Sequence, residues 1–454
     1  MSLQFEITKE FIDGLKSAIN LEDDVTVKSI LKNFHAADIA EIFNELNTEE
    51  SKYLITKLEG ETAADVIAEL DEDDREKYLK AMPGEVIAKQ FIHQMDSDDA
   101  ADLMADLPEK KQEEVLKHID DIEQAGDIVD LLSYDENSAG GLMAKELISV
   151  NENWSILKCL KEMSKQAENV DEVYYVYAVD DDNKLKGTVS LKRMLLSQNS
   201  TLIKDIINAE IRLVKTDTPG EEVANIMDKY DLVALPVVDS LRRLIGRITI
   251  DDVVDFIREE AEKDYQMASG ITEDIEPTDK IRVLTRARLP WLFIGLVGGV
   301  LGALVIGHYS PELEDFPKLA FFIPLIAAMG GNVGIQSSAI IVQAIASKSM
   351  GLESTSRRLF KEFIVAFTNG LILAGLIFAY SFLVNNSMAL TVTVSSSLLI
   401  VIIFAALFGT TIPLLLNKMN IDPALATGPF ITTMNDILGL FIYLMIGKIL
   451  FGIL

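Results

Sequence analysis

The chain has 454 residues, of which 71 are acidic and 41 are basic, giving a formal net charge of −30 at pH 7. The length suffices for two or three domains, and so acidic a field repels nucleic acid and attracts cations, although it also serves solubility. The single cysteine, Cys159, excludes a disulfide framework and a thiolate metal cluster. The charge is uneven, because residues 281–454 carry 10 basic and 7 acidic residues, whereas residues 1–280 carry 31 and 64.

Residues 1–137 are predicted to form an acidic, all-α, superhelical N-terminal domain. A short phrase recurs three times, as AADIAEIFNEL from Ala36, AADVIAEL from Ala63 and DAADLMADL from Asp99. Each copy places small and apolar residues at helical spacing beside an acidic face, and a break such as DEDD, PGE or PEK follows. Stacked helical hairpins produce this kind of self-similarity.

Residues 138–256 change to strands that alternate with helices. VYYVYAVDDDNKLKGTVSL from Val173 predicts a strand, an acidic turn and a strand, and DLVALPVVDSLRRLIGRITI from Asp231 repeats this order. A helix precedes and follows each copy, so a β-α-β-β-α unit occurs twice. The two copies, about 138–200 and 201–256, resemble a tandem pair of CBS domains, most specifically in ALPVVD and GRITIDD. This resemblance implies an α/β regulatory module.

Residues 257–282 predict an acidic connecting helix, and residues 283–454 predict an α-helical transmembrane domain with five spans. The first, second and fifth spans are Leu289–Gly307, Leu319–Ser347 and Pro423–Gly447. The third and fourth share the uncharged stretch Phe363–Asn417, which breaks at VNNSMA. The connector contains the acidic runs EEAEKD and TEDIEPTD, which are also common in solvated linkers.

The distribution of basic residues predicts the orientation of a multi-pass protein in the cell membrane. Basic residues before the first span, between the second and third, and between the fourth and fifth mark the cytoplasmic side: Arg282, Arg286, Arg288, Lys348, Arg357, Arg358, Lys361 and Lys418. The N-terminus shows no signal-peptide pattern. We therefore expect cytoplasmic N-terminal domains and an outside C-terminus, with Lys448 near the outer end snorkelling to the interface.

The second span contains PLIAAMGGNVGIQSS, which is unusually polar and glycine-rich for a membrane helix. One interpretation is close helix packing through small residues, with the amides of Asn332 and Gln336 bonding between helices. The other is an interrupted helix that faces a water-filled cavity, where irregular backbone is tolerated. Two amides among so many glycines favour the cavity.

The fifth span carries one charged residue, Asp436, in ITTMNDILGLFIYLMIG. A carboxylate at this depth costs roughly 2.5–3.5 kcal/mol on insertion scales, and intramembrane ionisable residues usually have a functional role. It could instead be a buried carboxylate bonded to Thr432, Thr433 or Asn435. No Lys or Arg lies within the other spans, which argues against a salt bridge and favours a ring of carboxylates from two or more chains around a hard cation.

GGNVGIQ in the second span, IDPALATGP followed by TTMNDILG in the fifth, and the domain order together resemble an MgtE-type magnesium transporter over the whole chain. The resemblance implies a homodimer with its ion pathway at the subunit interface and Mg²⁺ as substrate. It implies that Asp436 is the pore carboxylate and that Thr432 lends a backbone oxygen. Asn332 would line the pore, and Asp422 would lie at its cytoplasmic mouth.

The resemblance also implies that intracellular Mg²⁺ binds the acidic domains and holds the pore shut. The positions that match the family's regulatory acids are Asp98, Asp102, Asp231, Asp252, Asp255, Glu260 and Asp264, with Gly140 and Asp228 as sources of backbone oxygen and Asp65 as a weaker match. Asp98 and Asp102 are four residues apart, as are Glu260 and Asp264, so each pair lies on one helix face. Apposing such faces requires cations, and any single acid could equally be a solvated surface residue.

CBS modules often hold a nucleotide through a G-h-[ST]-x-x-D pattern. The second copy has it in GRITIDD, with Thr249 and Asp252, whereas the first copy reads GTVSLKR and places Arg193 where the acid is expected. This departure argues against ATP regulation, although Arg193 could meet a phosphate instead.

Three other functions agree less well with the sequence than magnesium transport does. Another divalent cation such as Co²⁺, Mn²⁺ or Ni²⁺ is disfavoured because Met434 is the one soft ligand near Asp436. A membrane-anchored ion or nucleotide sensor predicts no flux and leaves Asp436 unexplained. We expect no enzyme activity, since there is no nucleophile–base pair, catalytic metal cluster or cofactor loop. The absence of an ATPase motif, G-x-x-x-x-G-K-[ST], predicts transport inward down the electrochemical gradient.

Overall fold

The computed structural model of the chain describes residues 7–451 except 33, 59, 71, 81, 168, 169, 171, 172, 273, 274, 276–279, 347–353, 385 and 427. Two compact units divide the chain, Met1–Ile257 and Arg258–Leu454. Several residues named in the sequence analysis lie outside the described residues: Ser347 at the end of the second predicted span, the basic residue Lys348 after it, Asn385 of VNNSMA and most of TEDIEPTD.

The first part of the first unit is built from short helices, which confirms the all-α prediction. In the described part of this segment they are α1 Lys9–Asn20, α2 Asp24–Leu31, α3 Ala36–Phe43, α4 Thr48–Lys57, α5 Glu61–Ala68, α6 Glu72–Leu79, α7 Gly84–Gln90, α8 Ser97–Ala105, α9 Glu109–Leu116 and α10 Ile122–Leu131. One apolar core runs through them and contains Leu15, Leu54 and Leu103, none of which is exposed.

The recurring AAD phrase has a structural reason. Its first alanine is buried in α3 and both of its alanines are buried in α5 and α8, where these small side chains let neighbouring helices pack closely. The aspartate that ends each phrase stays at the surface, as Asp38, Asp65 and Asp102. The repeat therefore supplies part of the buried face of three helices and places a carboxylate on the exposed face of each.

Two small sheets follow, as the CBS resemblance implies. The strands are β1 Ile148–Asn151, β2 Val176–Val179, β3 Leu185–Val189, β4 Val214–Lys215, β5 Ala234–Val238 and β6 Leu244–Thr249. In each sheet the central strand pairs in parallel with the strand before it and antiparallel with the strand after it. The helices are α11 Ile156–Gln166, α12 Leu191–Leu196, α13 Gly220–Tyr230 and α14 Ile250–Ala268. The predicted β-α-β-β-α unit is therefore present twice.

The connecting helix differs in extent from the prediction, because it is the continuation of α14. This helix begins at Ile250 and runs without interruption to Ala268, since nothing between Asp252 and Ala268 breaks a helix and Val253 and Phe256 are buried on its apolar side. Gly270 follows two residues after the end of the helix, and its φ of 81° is the left-handed conformation that terminates many helices.

The second unit contains the membrane helices. Among its described residues, five helices are long and apolar enough to cross a membrane, which confirms the predicted number of spans. They are α15 Ile281–His308, α17 Ile323–Ala346, α18 Thr355–Leu383, α19 Met388–Lys418 and α20 Pro429–Phe451, with the short helix α16 Ser310–Asp315 after α15. The most extensively buried of the five, α19, packs against α17, α18 and α20, and α15 packs against α20.

Two details of this unit correct or complete the sequence interpretation. The expectation of an interrupted second span is wrong, because α17 is continuous through Gly330, Gly331 and Gly334. Its glycines are buried, as the interpretation of close helix packing through small residues predicts. Lys448 near the end of α20 is paired, since its Nζ lies 2.6 Å from Oε1 of Glu312 on α16.

Candidate functional site

The two central pore candidates lie on α20 beside a glycine of α17. Thr432 and Asp436 are one helical turn apart, and both are half-buried. A Cβ atom at Gly331 would lie 3.1 Å from Cγ2 of Thr432 and 3.4 Å from Oδ1 of Asp436. The structure therefore brings the glycine-rich segment and the intramembrane carboxylate together, although they are about a hundred residues apart in the sequence.

The other two pore candidates are exposed in this single chain. Asn332 directly follows Gly331 on α17. Asp422 precedes the 3-10 turn Pro423–Ala426, and its Oδ1 accepts a hydrogen bond of 2.8 Å from the backbone N–H of Ala424. That contact gives Asp422 a local structural role at the start of the segment that leads into α20.

Close contact between α17 and α20 depends on the glycines. The backbone of Asn435 and the side chain of Val401 lie near the position of a Cβ at Gly330, and the Asn435 amide fills the space beside Gly334. Asn435 is 1 % exposed, and neither amide atom has a hydrogen-bond partner among the described residues. Burying an amide without a hydrogen-bond partner is costly. The close packing of α17 and α20 around Asn435 must therefore offset this cost.

The end of α14 reaches the start of α20. Gly428 has a φ of 58°, and a Cβ there would collide with the backbone oxygen of Ala268. Gly270 lies against the ring of Pro429, the first residue of α20. The end of the helix that carries Glu260 and Asp264 therefore contacts the start of α20, two turns before Asp436. Both acids are half-buried, and Oε1 of Glu260 lies 3.3 Å from Nζ of Lys263.

In the first unit, α8 presents the acidic face that the sequence predicts. Asp98 and Asp102 are one turn apart on this helix. Burial raises the pKa of Asp98 well above its usual range, and the negative charge of Asp252 adds to the rise. Asp102 is exposed, but desolvation by the protein packed around it raises its pKa to about 7. Burial likewise raises the pKa of Asp252, against the hydrogen bonds from Thr249. Burial is thus the main cause of the raised pKa at all three carboxylates.

Asp98 belongs to a cluster of three half-buried carboxylates. One oxygen each from Asp96, Asp98 and Glu146 lies within 4.8 Å of the others. Glu146 also accepts hydrogen bonds from Ser97, at 3.2 Å from the backbone nitrogen and 2.7 Å from Oγ, so it holds the beginning of α8. Asp96 and Glu146 were not identified from the sequence, because they lie 50 positions apart in different domains. Within the described part of the chain, no other predicted regulatory acid belongs to such a three-residue cluster.

The remaining regulatory candidates are distributed over the first unit. Asp65 on α5 contributes negative charge at Asp99. Asp228 and Asp231 close the C-terminal end of α13, where Asp231 has a φ of 50° and its N–H donates to the Asp228 oxygen at 3.3 Å. Asp255 is exposed on α14. Gly140 donates its N–H to the Thr216 oxygen at 2.9 Å, and the Tyr134 ring fills the space where a side chain would be.

Asp102 lines a cleft of about 440 Å³. The cleft lies between α8, the end of α10 and the loop that contains Gly140, and its other carboxylates are Asp135 and Glu136. The structure thus places Asp102 in a cleft with two other carboxylates, beside the loop of Gly140.

The nucleotide candidates have structural partners. Oδ2 of Asp252 accepts from the N–H of Thr249 at 2.8 Å and from its Oγ1 at 2.7 Å. Thr249 and Asp252 therefore stabilise the start of α14, as the residues of a helix capping box do. Nη1 of Arg193 donates to the Ile206 oxygen at 3.1 Å, which ties α12 to the segment after it. Neither contact requires a nucleotide.

Comparison with known proteins decides the family. Models of three families match: MgtE, a divalent cation transporter, over residues 323–446; the MgtE intracellular N domain over 34–137; and the CBS domain over 139–198 and 203–259. The magnesium transporter MgtE of Thermus thermophilus is 31% identical over 440 residues, which are 96% of this chain and 98% of the relative. The chain belongs to the MgtE family. The resemblance found in the sequence is confirmed.

Similarity to other MgtE proteins supports the same family assignment. The magnesium transporter MgtE of Bacillus subtilis is 31% identical over 69% of each chain. The crystal structure of the cytosolic domain of the Mg²⁺ channel MgtE in complex with ATP is 30% identical, covers 54% of this chain and 99% of that one, and superimposes with a TM-score of 0.50. MgtE proteins form a transporter family rather than an enzyme class, and this member is a multi-pass membrane protein with soluble N-terminal domains.

The structure of this chain also contains a polar contact that the sequence did not predict. Oγ of Ser337 on α17 donates a hydrogen bond of 2.6 Å to Oε1 of Glu362 on α18. Glu362 directly precedes the uncharged stretch that predicts the third span, so the sequence does show an acidic residue at the edge of the membrane. Its partner is buried in another helix and could not be found from spacing.

Proposed function

We propose that this protein carries Mg²⁺ across the cell membrane into the cytoplasm, and that Mg²⁺ bound to its acidic cytoplasmic domains closes the pathway. The observation that carries the proposal is the position of Asp436, a carboxylate in a membrane helix that lies with Thr432 beside Gly331 of α17. Similarity to magnesium transporters over almost the whole chain supports the choice of ion.

The chemistry of the pathway suits a hard cation. Mg²⁺ prefers oxygen ligands in near-octahedral geometry and gives up its water reluctantly. A carboxylate from Asp436 and a backbone oxygen at Thr432 would bind an ion that keeps part of its water shell. Asn332 would line the path and Asp422 would attract the ion at the cytoplasmic mouth. The positive charge of the passing ion offsets the cost of placing Asp436 in the membrane.

The proposed assembly is a homodimer with the pathway between subunits. A single Asp436 per chain supports this proposal, since a symmetric pair would supply two carboxylates. The N-terminal domains would lie in the cytoplasm and the C-terminus outside, because the arginines at the start of α15 and α18 mark the cytoplasmic ends of these helices.

Closure would follow from neutralising the acidic domains. Asp98, Asp102 and Asp252 are held in surroundings that disfavour their charge, so a divalent cation between them would stabilise the compact arrangement. Asp65, Gly140, Asp228, Asp231 and Asp255 would provide further oxygens, as would Glu260 and Asp264 on α14. At low Mg²⁺ the carboxylates would repel one another, and the population would shift to an open state. Contact between the end of α14 and the start of α20 offers a mechanical route to the pore helix.

ATP is a weaker candidate ligand. A related cytosolic domain was solved in complex with ATP. In this chain, however, Thr249 and Asp252 cap α14, and Arg193 stands where the first copy of the pattern would have an acid. We expect Mg²⁺ alone to regulate the pathway.

The test is Mg²⁺ influx into proteoliposomes that contain an indicator dye, with micromolar Mg²⁺ on the side of the soluble domains. Asp436→Asn should abolish influx, and the matched control Asp315→Asn, an exposed carboxylate on α16, should retain it. Co²⁺, Mn²⁺ and Ni²⁺ should pass more slowly than Mg²⁺. Equal flux in wild type and Asp436→Asn would overturn the pore assignment, and no flux from folded wild-type protein would favour a membrane-anchored sensor.

A further inference from the structure

A half-buried arginine lies on the carboxylate side of α8. Nε of Arg75, on α6, is 2.8 Å from Oδ2 of Asp106, the residue that ends α8. The two side chains are 18% and 9% exposed. Nη1 of Arg75 also donates to the backbone oxygen of Ala68 at 3.3 Å, so the guanidinium is fixed between the end of α5 and the end of α8.

The position of Asp106 connects this ion pair to the regulatory carboxylates. Asp99, Asp102 and Asp106 are spaced three and four residues apart, so they share one face of the helix. The N–H of Asp106 donates to the Asp102 backbone oxygen at 3.2 Å, which keeps the helical turn intact between them. The positive charge of Arg75 opposes the effect of burial on both Asp99 and Asp102 and lowers the pKa of each.

An arginine stays charged at every pH that proteins tolerate, so this positive charge is permanent. It attracts the α8 carboxylates when no metal is bound, and it repels a divalent cation that approaches them. Both effects lower the affinity of these carboxylates for Mg²⁺. Asp106 acts in the opposite direction, because it neutralises part of the arginine's field.

We propose that Arg75 is a built-in counter-charge that weakens Mg²⁺ binding at the carboxylate face of α8 and thereby sets the Mg²⁺ concentration at which the pathway closes. The inference rests on the proposed function, because it assumes that this face binds regulatory Mg²⁺. Arg75 is not a ligand in this account; it acts on the affinity of others through its charge.

A purely structural role would have different consequences. If Arg75 only ties α5, α6 and α8 together, then any substitution that breaks the Arg75–Asp106 pair should loosen the domain and weaken Mg²⁺ binding. If its charge matters, Arg75→Gln and Asp106→Asn should change the affinity in opposite directions. Removing both charges together should nearly restore it.

The experiment uses the full-length protein in detergent and follows protection of the first unit from a protease as MgCl₂ is added. The variants are Arg75→Gln, Asp106→Asn, the double variant and Arg75→Lys, which keeps the charge and loses the planar fork. Circular dichroism melting confirms that each is folded. We expect the midpoint Mg²⁺ concentration to fall about three- to tenfold in Arg75→Gln and to rise in Asp106→Asn. In the double variant and Arg75→Lys it should stay close to wild type.

The results separate the inference from the proposed function. Wild-type protection that does not depend on Mg²⁺ would remove the regulatory face and the inference with it. Mg²⁺-dependent protection in wild type, with a midpoint that rises or stays unchanged in Arg75→Gln, would overturn the inference alone and leave the regulatory face in place.

Discussion

Gly334 of α17 and Asn435 of α20 pack so closely that the Asn435 amide occupies the space a Cβ on residue 334 would need. Asn435 directly precedes Asp436, so the contact sets the rotation of α20 about its axis at the level of the proposed pore carboxylate. Small residues at membrane helix contacts allow this close approach. The glycines of GGNVGIQ thus have a defined purpose, which is to bring two helices together.

Gly334→Ala should therefore disturb the proposed pathway. The added methyl group must displace either the Asn435 amide or α20 itself, and overpacking of this kind costs about 1–3 kcal/mol. We expect a lower melting temperature in detergent and reduced Mg²⁺ influx. Gly299→Ala on α15 is the matched control, because nothing lies within 4 Å of the position its Cβ would take. Equal losses in the two variants would show that the α17–α20 contact is not special.

Gly428→Ala should uncouple the end of α14 from α20. Residue 428 has a left-handed backbone, which costs a residue with a side chain roughly 1–2 kcal/mol, and its Cβ would also collide with the Ala268 oxygen. We expect influx that persists at millimolar Mg²⁺ on the side of the soluble domains. Gly307→Ala, where space is open, should remain inhibited. Normal inhibition of Gly428→Ala in the same assay would argue against this contact as the route to the pore.

Binding of Mg²⁺ to the first unit should release protons near neutral pH. Burial raises the pKa of Asp102 to about 7, so near neutral pH this group is partly protonated in the metal-free protein, and burial shifts the pKa of Asp98 in the same direction. The metal requires their ionised forms. Calorimetric titrations in buffers of different ionisation enthalpy should report net proton release at pH 7 and less release at pH 8.5. Asp102→Asn should reduce it.

The same raised pKa values predict how the stability of the metal-free protein changes with pH. A carboxyl group whose pKa is higher in the folded than in the unfolded state stabilises the fold at low pH, and this contribution is lost as pH rises through the folded value. For Asp102 the loss extends from about pH 4 to above pH 7. Metal-free protein should thus resist proteolysis better at pH 5.5 than at pH 8, and the opposite order would contradict the burial of these groups.

Much of the fold could be predicted because its patterns are local. The AAD phrases mark helix cores, the alternation of strands and helices marks the two CBS copies, and five uncharged stretches mark the spans. The boundaries of the helices were harder to predict from the sequence. Nothing in the sequence between Asp252 and Ala268 separates a domain helix from a connector, so their fusion into α14 appears only in the structure.

The site was predicted in part, for a physical reason. Asp436 stands out alone, because charge in a membrane span is costly. Glycines are ambiguous, since the same residues suit an interrupted helix and a tightly packed one, and here α17 is continuous. Asp96, Glu146 and Arg75 act through partners far away in the sequence, so no spacing could identify them.

The central claim is that one ion is both the cargo and the closing signal. The most direct measurement is the rate of Mg²⁺ influx into dye-loaded proteoliposomes, as Mg²⁺ on the side of the soluble domains is raised from micromolar to millimolar. Wild type and Asp98→Asn/Asp102→Asn are compared. Wild-type influx should fall with rising Mg²⁺, and the double variant, with two fewer carboxylates to neutralise, should need much more Mg²⁺ for the same inhibition. Wild-type influx that ignores Mg²⁺ on that side, or identical inhibition of both proteins, would contradict the account.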